Sequence, residues 1–166
     1  MVEMELIGIR TEVPTQVPIV LLRELTATRR VLPIFIGGAE AIAIAFALEG
    51  RETERPLTHD LFVDAIEALG GQLERVEVTN LVDSTFFAEL HLRIDGRAVV
   101  VSARPSDSIA LAVRVGCPIF AAEPVLDAAG TVLELDDEEG DGEPSEEVVE
   151  EFRKFIDNVN PEDFQS

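Results

Sequence analysis

Apolar and polar positions alternate loosely over residues 2–13, with Met4, Leu6, Ile7 and Ile9 among Glu and Arg, and this period of two predicts a strand. A turn over 14–17 leads to a second strand, 18–25, expected to run antiparallel to the first. After a polar turn, residues 31–36 form a third strand, where Pro33 argues for an edge or an irregular ladder. Gly37 and Gly38 break the pattern before an Ala-rich segment, 39–50, that is apolar nearly all round. Ala is the best helix former, and such a helix is expected to be buried centrally. Residues 51–57 read as a polar linker. Residues 58–70 predict a second helix, with Thr58 as its cap, Asp60 in its first turn, and Leu61, Phe62, Ala65, Ile66 and Leu69 as an amphipathic stripe.

Residues 72–82 alternate clearly, and 85–94 follow with two distinct faces. Phe86, Ala88, Leu90, Leu92 and Ile94 share one face; Phe87, Glu89, His91 and Arg93 share the other, which makes His91 a surface residue. Asp95-Gly96 is a strong hairpin signal, and residues 97–103 return, so 72–103 predict a three-stranded antiparallel meander. The corner Arg104-Pro105-Ser106-Asp107 opens a short helix, with Ser106 placed as its cap and Gly116 as its stop. A short strand, 118–122, and a short helix, 123–129, come next. The expected fold is α+β: a mixed, mainly antiparallel sheet with helices packed on it. The expected division is a domain at 1–130, a flexible acidic linker at 131–145, and an amphipathic C-terminal helix and tail at 146–166.

Charge sharpens that division. The net charge is −20, and residues 123–166 carry 16 of the 33 acidic side chains but only two of the 13 basic ones. Nothing in that balance predicts nonspecific affinity for nucleic acid or anionic lipid. The longest apolar run, 41–48, is eight residues, whereas a membrane span needs roughly 20. The N-terminus is acidic and unlike a signal peptide, and the single Cys117 excludes an internal disulfide, so a reducing cytoplasm is expected. Cys117 lies in an apolar setting and reads as a buried, inert thiol.

The candidate chemistry sits at helix starts. Glu40, His59, Asp60, Arg104 and Asp107 each fall at a helix N-terminus or strand end, where donors and carboxylates can converge. Asp60 and Asp64 are four apart on one helix. Two or three carboxylates with an imidazole could hold Mg²⁺ and activate water for phosphodiester hydrolysis. The structural alternative needs no function. A first-turn acid stabilises the helix dipole by roughly 0.3–1 kcal/mol, His59 can be a hydrogen-bonded structural residue, and Arg104 can pair with Asp107 or Glu40 to hold the corner. Gly37-Gly38 lacks the Lys-Ser/Thr of a phosphate loop.

Four blocks carry a resemblance. Leu32-Pro33-Ile34-Phe35-Ile36-Gly37 with Glu40-Ala41, Arg55-Pro56-Leu57-Thr58-His59-Asp60-Leu61, Thr85-Phe86-Phe87-Ala88-Glu89-Leu90, and Ala103-Arg104-Pro105-Ser106-Asp107-Ser108-Ile109-Ala110-Leu111 occur in order, and through them the chain resembles the bifunctional nuclease domain family over roughly residues 2–128. Phe152-Arg153-Lys154-Phe155-Ile156-Asp157 and Asn160-Pro161-Glu162-Asp163-Phe164 are similar to the C-terminal end of actinobacterial members. The resemblance implies an α+β fold and, from plant members, cleavage of DNA and RNA. The positions that match the family's polar motifs are Glu40, His59, Asp60, Arg104, Ser106 and Asp107. A nuclease would then use His59, Asp60, Arg104 and Asp107 catalytically, with Glu40, Asp60 and Asp107 on Mg²⁺ or Mn²⁺ and DNA or RNA as partner. The other reading is a noncatalytic oligomeric scaffold in which the same residues form an internal polar network. Self-association, as a homo-oligomer and most simply a dimer, is expected from the apolar edge strands and the C-terminal helix.

Overall fold

The computed structural model describes residues 1–132 apart from Pro14 and Glu52. The acidic linker and the C-terminal helix expected beyond 132 lie outside the described residues. Strands β1 (Val2–Thr11), β2 (Pro18–Glu24) and β3 (Arg30–Phe35) are followed by helices α1 (Gly38–Leu48) and α2 (Thr58–Ala68). The meander β4 (Gly71–Val82), β5 (Thr85–Ile94) and β6 (Arg97–Ala103) leads into α3 (Pro105–Val115), β7 (Ile119–Ala121), α4 (Glu123–Ala129) and β8 (Thr131–Val132). The strands form one eight-stranded sheet in the order β6-β5-β4-β7-β1-β2-β3-β8. All neighbours are antiparallel except β4 and β7, which run parallel with Val76 opposite Ile119. The fold is therefore α+β, as the alternating segments predict.

Local chemistry explains most of these elements. Asp83-Ser84 and Asp95-Gly96 turn with φ of 46° and 61°, and 48° and 76°. These left-handed values match the twist of tight hairpins and favour Asp and Gly. Gly116 ends α3 at φ 69°, as the sequence leads one to expect. Pro33 pairs with Leu21 on the β2 side, while β8 covers only Arg30 and Val31, so among the described residues the proline lies where no further strand needs its missing N–H. Val76, Val78, Leu90 and Leu92 share one core with Ile44 of α1 and Ile109 to Ala112 of α3.

Three expectations are corrected. Helix α1 is not buried all round: Ala43 and Ile44 are buried, but Ile42 and Leu48 are 56% and 49% exposed. It packs on α3 and β2, and the remaining side faces solvent. On α2, Ile66 alone of the predicted apolar stripe packs against the core. Leu61, Phe62, Ala65 and Leu69 are exposed, and His59, Asp60, Val63 and Ile66 are the partly buried residues. Polar anchors set this rotation, as shown below. Finally, neither Thr58 nor Ser106 caps its helix: Leu57 and Arg104 occupy the N-cap positions. Pro105 takes the first turn of α3, where its missing N–H costs nothing. No helix of the described residues is long and apolar enough to cross a membrane.

Candidate functional site

Helices α1, α2 and α3 bring their N-terminal turns together through α3, which touches both of the others. Arg104 is the hub. Its Nε donates to Asp107 Oδ2 at 2.7 Å, and its Nη2 donates to Asp107 Oδ1 at 3.0 Å and to Glu40 Oε1 at 2.8 Å. Asp107 Oδ1 also meets His59 Nε2 at 3.1 Å. Glu40, Arg104, Asp107 and His59 thus form one continuous chain of charge-assisted contacts across three elements. Glu40 reaches it by folding back over Gly37, where a side chain would collide with the carboxylate. Ser106 lies buried in the first turn of α3 beneath this corner.

Asp60 is in a second, adjoining contact. Its Oδ2 accepts the Leu57 N–H at 2.8 Å, closing the first turn of α2. Its Oδ1 accepts from Arg114 Nε at 2.5 Å. Arg114 was not anticipated from sequence, although it lies seven positions after Asp107 and therefore on the same side of α3. The Arg114 side chain is only 10% exposed, and its Nη1 also donates to the Ala110 carbonyl. Two polar links, His59 to Asp107 and Asp60 to Arg114, dock α2 on α3. They turn residues 59, 63 and 66 inward and force the Leu61–Phe62 side out. Asp64 is exposed and takes no part.

The electrostatics follow from these contacts. Burial pushes the Asp107 carboxyl upward, but hydrogen bonds from Arg104 and His59 overcome it and leave its pKa below the usual range. The Arg114 hydrogen bond, with the Leu57 N–H, does the same for Asp60. Asp107 and Glu40 in turn raise the Arg104 pKa. Arg104 is 65% exposed, whereas the His59 and Glu40 side chains are 15% and 17% exposed. The cluster therefore presents a cationic, solvent-facing guanidinium beside an imidazole held by a carboxylate.

Among the described residues, the three carboxylates expected to hold Mg²⁺ or Mn²⁺ do not gather into one ligand set, and each is occupied by an arginine. Glu40 Oε1 and both Asp107 oxygens face Arg104, and Asp60 faces Arg114 and the Leu57 N–H. A dication there would have to displace a guanidinium, so in this arrangement the residues do not fit the ion. Cys117 is partly buried, and burial pushes its thiol up to about 11, which agrees with an inert thiol. A cleft of about 330 Å³ between α2, β4 and the end of α3 is lined by Val63, Ile66, Glu67, Gln72, Leu73, Glu74 and Val115, none of them in the cluster.

Comparison with known proteins places this geometry in context. The family described as the bifunctional nuclease domain matches residues 20–134, which include every residue of the cluster. An uncharacterized protein of Mycobacterium tuberculosis is 47% identical over 165 residues, covering 99% of this chain and 98% of the relative. Bifunctional nuclease 1 of Arabidopsis thaliana is 30% identical over 105 residues, 61% of this chain and 32% of the plant protein. Bifunctional nuclease 2 of the same plant is 32% identical over 95 residues, 55% of this chain and 29% of that protein.

Proposed function

The chain belongs to the bifunctional nuclease domain family, and from that premise we propose that the His59–Asp107–Arg104 cluster cleaves phosphodiester bonds of DNA or RNA. The observation that carries this reading is Asp107 bridging the two others: one carboxylate holds His59 Nε2 at 3.1 Å and Arg104 Nε at 2.7 Å. A carboxylate that orients an imidazole leaves the opposite ring nitrogen to act as base. His59 takes a proton from water as the water oxygen forms its bond to phosphorus. The exposed Arg104 guanidinium holds the non-bridging oxygens while their charge grows. The bond from phosphorus to the leaving oxygen breaks, and that oxygen takes a proton from solvent. Glu40 positions Arg104, and Asp60 with Arg114 positions the helix that carries His59.

In this scheme Arg104, not a bound dication, is the positive partner of the phosphate. Assay of purified protein on labelled single-stranded DNA and RNA, with and without Mg²⁺ or Mn²⁺, tests it. The expected result is cleavage that His59→Ala and Asp107→Ala together lower by about a hundredfold or more, the usual size of a general-base contribution. Equal degradation by wild type and double variant would overturn the reading. Half-buried Cys117 and the lack of any second cysteine fit a reducing compartment, and we place the protein in the cytoplasm.

A second reading, an oligomeric scaffold, is favoured by one observation. Leu61, Phe62 and Leu69 on the outer side of α2 are 59%, 49% and 73% exposed, and contiguous apolar surface of this kind marks interaction sites. The occupant we favour is a second copy, because a two-fold axis would set the same apolar stripe against itself.

A further inference from the structure

We propose that Glu77, Glu89 and His91, on the side of β4 and β5 turned away from α3, form a binding site for one divalent transition ion. This is separate from the helix-terminal cluster and independent of the nuclease reading. Ligand atoms of the three residues all lie within 4.8 Å of one another. His91 Nε2 is 3.2 Å from Glu77 Oε2 and 3.6 Å from Glu89 Oε2. That nitrogen is buried and makes no hydrogen bond among the described residues. The His91 and Glu77 side chains are 15% and 13% exposed, so His91 is not the surface residue that strand alternation predicts. Glu89 is 40% exposed and leaves an open side for water.

The register supplies the physical argument. Glu77 and Glu89 are directly paired across β4 and β5, and like charges in that relation destabilise a sheet. The arrangement calls for a cation, and Arg75 now provides it. Arg75, paired across from His91, donates its Nε to Glu77 Oε1 at 2.6 Å and sets its Nη2 2.9 Å from His91 Nδ1. With Nδ1 accepting from Arg75, the ring proton sits on Nε2, facing the carboxylates. Binding an ion at Nε2 moves that proton to Nδ1 and requires Arg75 to swing out. Arg75 is 40% exposed and has room to do so. The ion and Arg75 therefore oppose one another through the tautomer of His91, although they meet opposite ring nitrogens. One imidazole nitrogen with two carboxylates suits Zn²⁺ or Mn²⁺ over Mg²⁺ or Ca²⁺, which prefer oxygen alone.

The chain has two histidines, so imidazole NMR resolves both and His59 serves as internal control. Zn²⁺ is titrated into full-length protein in excess Mg²⁺, which occupies the many other carboxylates. The expected result is a shift of the His91 Nε2 resonance at one equivalent with His59 unmoved. A chelating dye in competition should then report affinity lowered about tenfold or more by His91→Ala and by Glu77→Gln, and raised several-fold by Arg75→Gln. An unmoved His91 resonance at saturating Zn²⁺ overturns the proposal, and so does wild-type affinity in a folded His91→Ala variant. The NMR arm uses unmutated protein, so a variant that fails to fold does not decide the outcome.

Discussion

His59 Nε2 and Asp107 Oδ1, 48 positions apart in sequence, meet at 3.1 Å where the first turns of α2 and α3 converge. The contact joins two of the four sequence blocks that carry the family resemblance. Asp107→Asn keeps the shape but removes the charge, so the imidazole loses its orienting anion. Nucleolytic activity should fall by about a hundredfold or more, with KM changed far less than kcat. An unchanged kcat would remove Asp107 from the proposed chemistry.

Asp60 and Arg114 set the rotation of α2. Asp60→Ala deletes both the Arg114 contact and the helix-closing bond to Leu57. It leaves a guanidinium that is 10% exposed without its carboxylate. With Asp60 itself 36% exposed, the expected loss is about 1–2 kcal/mol, read by urea denaturation. Hydrogen exchange should place the effect first in α2, which has no fully buried residue of its own to retain it.

Glu24 and Arg30 tie β2 and β3 to α4. Arg30 contacts Glu24 at 2.9 Å, Glu123 at 2.7 Å and Asp127 at 3.0 Å, with the Glu24 side chain 3% exposed. The Arg30 hydrogen bond, working against burial, lowers the Glu24 pKa from 4.5 to about 2. A carboxylate with a depressed folded pKa contributes stability that is complete above its unfolded pKa. That contribution is lost as pH falls through the folded value. The stability of wild type relative to Glu24→Gln should therefore be constant above about pH 5.5 and shrink between pH 4.5 and 2. A pH-independent difference across that range would contradict the ion pair.

Leu61 and Phe62 test the scaffold reading. If α2 pairs with its copy, Leu61→Glu with Phe62→Glu should halve the mass seen by light scattering. Both positions are exposed, so the stability of the monomer itself should change by less than about 0.5 kcal/mol. A wild type that is already monomeric at tens of micromolar would remove this interface.

Strand alternation in residues 72–103, the Asp95-Gly96 turn and Gly116 were legible because each records a local constraint: a period of two, a left-handed backbone, a helix stop. Glu40, His59, Asp60, Arg104 and Asp107 were legible as candidates because helix starts gather polar groups in any fold. The pairing of Arg104 with Asp107 and Glu40 was legible too, and the structure has both; the partners of His59 and Asp60 were not. Arg114 and Arg30 are charged residues whose carboxylate partners lie 54 and 93 or more positions away, apart from the local Glu24. No periodicity encodes such a pairing.

The sequence by itself determined the strands, the helices and the order in which they occur, since hydrogen-bonding geometry and apolar period act over a few residues. Only the tertiary structure decided which way each helix faces. On α2 the apolar stripe predicted one rotation, and two ion-pair links to α3 selected another. Turning Leu61 and Phe62 inward would take Asp60 away from Arg114, whose guanidinium is only 10% exposed. The same holds for His91, which alternation placed on an open face and cross-strand register set against two glutamates and an arginine. Both outcomes depend on charges brought together from distant parts of the chain, and that information exists only once the sheet has closed.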